Sequence, residues 1–225
     1  PKIKKHFTIC NKIPISFVGQ TWFLENLKEG EKGLYDKIKR GADIILSGIL
    51  LMATSPFWLF IALFIKLEGG GPVFYRQERI GQDKKSFFLL KFRSMKIGSE
   101  EKTGPVWAKK KDPRITRVGK LLRGIHFDEL PQMLNVLKGE ISLVGPRPER
   151  PEFVSQLEKE IPHYHIRHLI RPGFTGWAQI KFRYGRSVMD GQEKFQYDLY
   201  YLKNRSPLLD LGILLKTFQL FFKKE

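Results

Sequence analysis

The longest apolar segment of the chain covers residues 44–65 and contains no charged side chain. About 20 apolar residues are enough for a helix to cross a bilayer, so this segment predicts a membrane helix. Ser55 and Pro56 stand near its middle, where a proline removes one helix hydrogen bond and clashes with the preceding turn. A break there would leave two halves of about 15–18 Å. Neither half alone crosses an apolar core of about 30 Å.

Basic residues flank this segment on both sides: Lys37, Lys39 and Arg40 precede it, and Lys66 follows it. A helix that spans a bilayer usually has its excess of positive charge at the cytoplasmic end. The nearly symmetric flanks therefore favour a re-entrant helix-break-helix that dips into one leaflet and returns. A proline-kinked spanning helix and a buried core helix remain open at this point. Asp43 lies at the lipid boundary, where we expect a pairing with Arg40, one turn earlier, to offset the cost of its charge.

The rest of the chain mixes strand patterns with helical ones. Residues 73–75 and 87–92 are aromatic and apolar around a turn, which predicts a β-hairpin. Apolar residues at helical spacing after residue 129, with Gly139 as a stop, predict a helix. A further helix is expected to follow residues 112–116 and to end near residues 123–124. Others are expected over residues 149–167, 189–203 and 208–222, and the last of these would lie at the membrane interface. Residues 13–18 are a candidate edge strand, residues 22–27 a short helix and residues 98–111 a mobile polar loop.

The composition adds an anionic partner to this picture. The chain has 40 lysines and arginines against 23 acidic residues, a formal charge of +17. Such an excess suits nucleic acid, acidic lipid headgroups or phosphorylated substrates. The basic residues form no dense run, which weakens the case for a nucleic-acid arm. The single cysteine, Cys10, excludes an intrachain disulfide and favours a reducing, cytoplasmic setting.

Candidate chemistry concentrates around two adjacent carboxylates, Asp128 and Glu129. The simpler interpretation of such a pair before a helix is a cap with a favourable dipole interaction. Arg147, however, stands between two prolines, a setting that holds a guanidinium stiffly and suits bidentate phosphate contact. A surface ion pair is the alternative for this residue. Lys91 and Arg93 share one face of a predicted strand. Their side chains point either toward phosphate or toward solvent. Carboxylates beside arginines suit phosphate chemistry with a divalent metal between the anionic groups.

No common nucleotide or hydrolase framework competes with this interpretation. The sequence contains no P-loop, no G-x-G-x-x-G after a strand, no G-x-S-x-G and no H-E-x-x-H.

At these residues the chain resembles the monotopic polyprenyl-phosphate phosphoglycosyl transferases, the bacterial sugar transferase family. The matching stretches run in family order across about residues 35–220: Lys39-Arg40 with Asp43, Ser55-Pro56, GPVFYRQERIG (71–81), KFRSM (91–95), DPRITRVGKLLR (112–123), FDELPQMLNVLKGEISLVGPRP (127–148), RPGFTGWAQ (171–179) and YDLYYLKN (197–204). The combination is highly specific, although each stretch alone is not. His126, where a small polar residue is usual, and Glu140, where Asp is common, are small departures.

The resemblance implies an α+β fold that is mostly helical. A re-entrant membrane helix broken at Ser55 and Pro56, a small β-hairpin and amphipathic interfacial helices would surround a cytoplasmic active site. Residues 1–34 are expected to be a linker or the tail of a preceding domain. Residues 35–68 would be the re-entrant helix, and residues 69–225 the cytosolic catalytic domain with its interfacial helices.

The resemblance also implies roles for named residues. Asp128 and Glu129 would form the catalytic pair and hold Mg²⁺, with Asp128 as the nucleophile and Glu129 as a metal ligand or a base. The residues expected to contact substrate phosphate are Arg147, Arg123, Lys91 and Arg93. Those expected to bind the nucleotide sugar are Arg114, Arg171, Thr175, Gln179 and Asp198.

The implied reaction is transfer of a sugar phosphate from a UDP-sugar to polyprenyl (undecaprenyl) phosphate, with UMP as the second product. It would be the first membrane step of exopolysaccharide, lipopolysaccharide or another glycoconjugate synthesis. The expected partners are the UDP-sugar, the polyprenyl phosphate and a phospholipid membrane at the cytoplasmic face of the bacterial inner membrane. Nucleic acid is not expected, and a homo-oligomer is left open.

Two other functions remain open from the residues alone. A basic membrane-surface protein without catalysis would explain the charge and the apolar helices but gives no role to the carboxylate pair. A lipid-phosphate phosphatase with an aspartyl intermediate would release inorganic phosphate instead of UMP.

Overall fold

The computed structural model describes residues 11–19, 32–99, 104, 112–182 and 187–222. Within these residues the chain is mostly helical, with one antiparallel and one parallel pair of strands. The predicted α+β class with a small β-hairpin is therefore confirmed. The short helix expected over residues 22–27 and most of the loop expected over residues 98–111 lie outside the described residues.

The elements follow one another along the chain in a simple order. They are α1 (Gly33–Gly69), β1 (Phe74–Ile80), β2 (Ser86–Phe92), α2 (Arg117–Gly124), α3 (Gln132–Lys138), β3 (Ser142–Val144), α4 (Pro151–Glu160), β4 (Gly173–Thr175), α5 (Trp177–Lys181), α6 (Val188–Asn204) and α7 (Pro207–Phe222). Strands β1 and β2 form the hairpin, with Phe74 opposite Phe92 and Ile80 opposite Ser86. Strand β3 pairs in parallel with β4. Gly139 ends α3 in the left-handed conformation, as its position in the sequence predicts.

Helix α1 passes through Pro56 without interruption. A proline at this position leaves the carbonyl of Met52, four residues earlier, without its helix donor. The Ser55 hydroxyl donates a hydrogen bond to that same carbonyl, with Oγ 3.0 Å from the oxygen. The serine thus compensates for the bond that the proline removes, and the expected break into two helices is not confirmed.

The outer face of α1 is strongly apolar. An 18-residue window of the helix has a mean hydropathy of 2.1 and is only 11% buried, so by length and composition the helix could cross a membrane. Among its exposed large side chains are Leu59, Phe60 and Leu67, which are 80%, 61% and 73% exposed. A second exposed apolar stripe, at a spacing of three and four residues, lies on α7: Leu208, Leu211, Leu215 and Phe218. The amphipathic helix expected at residues 208–222 is present as α7.

The inner face of α1 is bound to the rest of the chain by polar contacts. Arg40 donates to the carbonyls of Val136 and Leu137 at the end of α3, at 2.6 and 2.7 Å. The buried carboxylate of Asp43 accepts a hydrogen bond from the backbone N–H of Leu143, at 3.0 Å. The pairing expected between Arg40 and Asp43 is wrong, because a main-chain partner satisfies each of them.

Helix α1 also contributes to the hydrophobic interior. Ile61 and Ile65 are buried against Phe92, Leu122 and Leu130, from β2, α2 and the start of the segment that leads into α3. A larger cluster fills the space between α3, α4, α6, α7 and the β3–β4 pair, with Val136, Ile141, Phe195, Leu199 and Ile213 fully buried. The apolar helix is therefore partly a core element and partly an exposed one.

Two predicted elements differ from the structure. Residues 13–18 form a 3-10 turn at Ile15–Phe17 instead of an edge strand, because Pro14 has no N–H for a strand ladder and Ile13 bonds to the carbonyl of Gln196 in α6. The helix expected over residues 149–167 ends at Glu160, and a separate 3-10 helix covers Tyr164–Leu169. Pro162 accounts for this break, since the residue before a proline is disfavoured in helical conformation.

We expect the contact between Arg40 and α3 to stabilise the whole protein. Arg40→Gln removes a charged donor from two carbonyls, and a hydrogen bond to a charged group is worth about 1.5–3 kcal/mol. For a protein of this size the midpoint of thermal unfolding in detergent should fall by about 4–8 °C. Lys37→Gln, which removes an exposed lysine one turn earlier, is the matched control and should leave the midpoint unchanged. Equal midpoints for the two variants would contradict this account of how α1 is held.

Candidate active site

The two carboxylates lie on a tight 3-10 turn, Phe127–Glu129, between α2 and α3. His126 enters the turn in the left-handed conformation, with φ of 56°. This conformation is uncommon for a residue with a side chain. The turn buries Asp128, which is 6% exposed.

Glu129 is held between two cations from distant parts of the sequence. Its Oε1 lies 2.5 Å from the Nζ of Lys91 in β2 and 2.7 Å from Nη2 of Arg147. Burial alone would raise the pKa of Glu129, but the charges of Arg147 and Lys91 outweigh it and hold that pKa well below its usual range. Glu129 is thus a permanently ionised carboxylate already paired with two cations.

Asp128 is in the opposite situation. Among the described residues, no side chain or N–H lies within hydrogen-bond or ion-pair distance of its carboxylate. Burial raises the pKa of Asp128, and the negative charge of Glu129 adds to this shift, while Lys91 and Arg123 oppose it. The two adjacent carboxylates therefore differ sharply, since one is neutralised by partners and the other is available to a ligand.

The turn that carries Arg147 is fixed from behind by a buried ion pair. The carbonyl of Arg147 accepts a hydrogen bond from Nη2 of Arg167, at 2.8 Å. Arg167 in turn pairs with Asp198 of α6 at 2.9 Å and donates to the hydroxyl of Tyr164 at 3.0 Å. Arg167 and Asp198 are both almost fully buried. This chain of contacts sets the position of the Arg147 backbone, and hence of its guanidinium.

A close crossing of backbones supports the same turn. A Cβ atom on Gly173 of β4 would lie 2.0 Å from the backbone nitrogen of Gly145, immediately after β3. No side chain fits there, so glycine is required where β4 passes the start of the Arg147 turn.

The carboxylates open into a cavity of about 680 Å³. Its described lining contains nine lysines and arginines against three carboxylates. The size is typical of a small-molecule site, and the charge suits an anionic ligand with several phosphate oxygens. We call this space the catalytic cavity.

The structure brings seven of the expected site residues together in the catalytic cavity. They are Lys91, Arg93, Arg114, Arg123, Asp128, Glu129 and Arg147. Arg123 donates from Nε to the hydroxyl of Ser94, at 2.8 Å. Arg114 forms an ion pair with Asp112, at 2.7 Å, which holds its guanidinium at the edge of the cavity.

The other four expected nucleotide-sugar residues lie elsewhere. Arg171 lines a separate cavity of about 240 Å³ beside the start of α1. The hydroxyls of Thr175 and Thr217 are 2.7 Å apart, Gln179 donates to the carbonyl of Phe174 at 3.3 Å, and Asp198 is paired with Arg167. None of the four lines the catalytic cavity.

Arg79 and Arg167 contribute to the site but were not foreseen from the sequence. Arg79 of β1 lines the cavity and donates to the carbonyl of Pro148 at 2.8 Å. Its signal was present in the sequence, since Tyr75, Gln77 and Arg79 alternate on the strand face that also carries Lys91. Arg167 gave no such signal, because Arg147 and Asp198, the partners through which it supports the site, are 20 and 31 residues away in the sequence.

The donors in the cavity fit a magnesium ion that is shared with a substrate. Within the described residues no group of three or more His, Cys, Asp and Glu could hold a metal by itself. Mg²⁺ is commonly bound through one or two carboxylates together with phosphate oxygens and water. Asp128 has a carboxylate available for such a role, whereas Oε1 of Glu129 is already bound to two cations.

The chain is similar to known proteins over most of its length. The bacterial sugar transferase family matches residues 34–224. The chain is 45% identical over 200 residues to the UDP-N-acetylgalactosamine-undecaprenyl-phosphate N-acetylgalactosaminephosphotransferase of Aeromonas hydrophila, which covers 86% of this chain and 47% of that protein. It is 41% identical over 187 residues to the UDP-glucose:undecaprenyl-phosphate glucose-1-phosphate transferase of Escherichia coli K12, covering 82% of this chain and 40% of that protein.

A shorter relative matches over nearly its whole length. The exopolysaccharide production protein PSS of Rhizobium leguminosarum bv. phaseoli is 41% identical over 185 residues, which cover 80% of this chain and 92% of that protein. The chain thus spans less than half the length of the first two relatives and almost all of the third. The extent of the family match, together with the carboxylate pair in a cation-lined cavity, shows that the chain belongs to the bacterial sugar transferase family.

Proposed function

We propose that this chain transfers a sugar phosphate from a UDP-sugar to polyprenyl phosphate through a covalent intermediate on Asp128. The observation that carries the proposal is the unpaired, buried carboxylate of Asp128 in a cavity lined by nine cations. The names of the relatives support the two substrates, since each of the first two acts on a UDP-sugar and undecaprenyl phosphate. The product would be a polyprenyl diphosphate sugar, an early membrane-bound precursor of exopolysaccharide.

In the first step, a carboxylate oxygen of Asp128 attacks the phosphorus that carries the sugar. The bond from this phosphorus to the oxygen shared with the uridine phosphate breaks, and UMP leaves with that oxygen and its electron pair. Asp128 needs no base, because a carboxylate is already ionised near neutral pH. In the second step, an oxygen of polyprenyl phosphate attacks the same phosphorus, and the bond to Asp128 breaks to restore the carboxylate.

In both steps an anion attacks an anionic phosphate group, and the positive side chains of the catalytic cavity would reduce this repulsion. Arg147, Lys91 and Arg123 surround the carboxylates and would stabilise charge on the transferred phosphoryl group. A Mg²⁺ ion held by Asp128 and substrate phosphates would neutralise further charge when bound. The Arg167–Asp198 pair would act indirectly, by fixing the backbone of Arg147.

Glu129 is better suited to positioning than to proton transfer. Two cations keep its pKa low, and a carboxylate that resists protonation is a poor base. Its bonds to Lys91 and Arg147 hold these cations on either side of the reacting carboxylate. We therefore assign Glu129 to orienting the two cations.

The same proposal places α1 as a re-entrant membrane helix whose two ends lie on the cytoplasmic side. Arg40 binds the end of α3, and Glu68 accepts hydrogen bonds from the N–H groups of Arg117 and Val118 at the start of α2. If the helix instead spanned the bilayer as a straight rod, these two attachment points would be about 42 Å apart along the membrane normal, at 1.5 Å per residue. A spanning orientation would place the polar body that joins them inside the apolar core, at a high cost in desolvation. This arrangement supports residence at the cytoplasmic face.

Replacing the nucleophile should abolish turnover. With Mg²⁺, undecaprenyl phosphate and a panel of UDP-sugars, the wild type should release UMP from at least one donor. Asp128→Asn should lower that rate by at least about 10³-fold, since it removes the attacking oxygen. Asp83→Asn, at the exposed tip of the hairpin, is the matched control and should retain full activity. Release of inorganic phosphate instead of UMP, or an active Asp128→Asn, would contradict the proposal.

The pH dependence should separate the roles of the two carboxylates. Activity requires ionised Asp128, so the rate of UMP release should fall as the pH drops through the raised pKa of Asp128, above its usual value of about 3.9. Glu129→Gln removes a neighbouring negative charge that raises this pKa. The midpoint of the acid side of the profile should therefore move to lower pH, along with a loss of rate.

Glu160→Gln, on the exposed end of α4, is the control and should leave the profile unchanged. If Glu129 were the titrating base, the acid side of the profile would disappear in Glu129→Gln instead of shifting.

The membrane topology can be tested with single cysteines in a Cys10→Ser background. Lys37→Cys and Gly69→Cys flank the apolar part of α1, and in inverted membrane vesicles both should react with an impermeant maleimide. Leu59→Cys, on the exposed apolar face, should react poorly because lipid covers it. Reaction of Lys37→Cys and Gly69→Cys from opposite sides of the membrane would mean that α1 spans it.

A further inference from the structure

A second cavity lies between the end of α1 and the segment that joins β2 to α2. It has a volume of about 420 Å³ and shares Arg93, Met95, Lys96 and Ile97 with the catalytic cavity. We call it the helix-end cleft. Because the two cavities have these residues in common, the cleft and the catalytic cavity are immediate neighbours.

Arg93 lines both cavities, and one nitrogen of its guanidinium has no hydrogen-bond partner. Its Nη2 donates to the carbonyls of Ile65, at 3.1 Å, and Gly70, which fixes the side chain against the end of α1. Its Nη1 is buried and has no hydrogen-bond partner. A buried donor without a partner is costly, so an anion at this position would be stabilised.

Gly71 makes room for this arrangement. Its φ is +65°, and a Cβ there would lie 2.5 Å from Nη1 of Arg93 and 2.5 Å from the side chain of Ile97. Only glycine leaves the guanidinium where it is, at the junction of the cleft and the catalytic cavity.

The remaining lining combines positive charge with an apolar wall. Lys96 and Arg117 are exposed, and within the described part of the chain neither side chain forms an ion pair within 4 Å. The carboxylate of Glu68 is occupied by backbone N–H groups at the start of α2. Ile65, Ile97 and Ile115 supply apolar surface, and the exposed Phe64 and Leu67 of α1 continue it toward the membrane.

We propose that the helix-end cleft binds the polyprenyl phosphate acceptor, with its phosphate at Nη1 of Arg93 and its first isoprene units along the isoleucine wall. The inference rests on the proposed function, in which this phosphate attacks the phosphorus on Asp128. An anionic head beside an apolar chain matches the lining of the cleft. Arg93 lines both cavities, so a phosphate bound there lies beside the catalytic cavity, which favours the reacting lipid over a bulk phospholipid.

The two steps of the proposed reaction can be measured separately, which allows the donor and acceptor sites to be distinguished. Exchange of labelled UMP into the UDP-sugar needs only the first step, and full turnover needs the acceptor as well. In Arg117→Ala, which changes a residue that lines the helix-end cleft and not the catalytic cavity, the KM for undecaprenyl phosphate should rise about tenfold, as expected for a lost charge-assisted phosphate contact. The exchange rate and the KM for the UDP-sugar should stay within about twofold of the wild type.

Lys120→Ala removes an exposed lysine of α2 outside both cavities and is the matched control. An unchanged KM for undecaprenyl phosphate in Arg117→Ala would overturn the inference. So would a loss of exchange with a raised KM for the UDP-sugar, which would assign the cleft to the donor. A wild type that shows no exchange at all would instead overturn the covalent step of the proposed function.

A photoreactive side chain can distinguish the acceptor from ordinary phospholipid. Benzoylphenylalanine at Ile97, which is 62% exposed, should capture undecaprenyl phosphate in nanodiscs, and excess phosphatidylglycerol should not displace it. The same probe at Leu121, 67% exposed on α2 and outside both cavities, should show no such selectivity. Displacement by phosphatidylglycerol at Ile97, or equal capture at both positions, would contradict acceptor binding in the cleft.

Discussion

The carboxylate of Glu129 between Lys91 and Arg147 is the interaction on which the active site depends. A buried charge is costly unless it is paired, and here the two cations come from different structural elements, the hairpin and the turn after β3. The pairing therefore joins three segments that are far apart in the sequence. It also concentrates the neutralising contacts on Glu129 and leaves Asp128 beside it without a partner. Two neighbouring residues of similar chemistry thus acquire different properties from their surroundings alone.

The scaffold behind this triad is unusually polar for a protein interior. Arg167 and Asp198 are buried together, and Nη2 of Arg167 also donates a hydrogen bond to the carbonyl of Arg147. The glycines at positions 145 and 173 allow β3 and β4 to pass at contact distance, which brings the Arg147 turn over the carboxylates. A buried ion pair of this kind contributes little net stability compared with apolar packing, but it fixes direction, because Arg167 donates at the same time to Asp198 and to the carbonyl of Arg147. A fixed orientation matters here, because the guanidinium of Arg147 is proposed to contact a substrate phosphate.

Local pattern was enough to foresee much of the fold and part of the site. The alternation along the second strand placed Lys91 and Arg93 on one face, and Gly139 marked the end of α3, because both signals depend only on neighbouring residues. The resemblance to a known family assigned roles to further residues, some of which line the catalytic cavity while others do not. Long-range contacts were not foreseen: the partner of Asp43 is a backbone N–H a hundred residues away, and Asp198 pairs with Arg167 outside the catalytic cavity. Such pairings are decided by which elements meet in space, and no periodicity in the sequence records that.

The anchorage of Arg93 has a mechanical consequence. Its guanidinium is bound to the carbonyls of Ile65 and Gly70, at the end of the helix whose outer face is apolar. Anything that changes the depth or tilt of that helix, such as a thinner bilayer, moves these two carbonyls and with them the charge at the edge of the reaction site. In the membrane placement proposed for α1, the thickness of the bilayer is therefore one of the quantities that set the geometry of the site, through a single side chain.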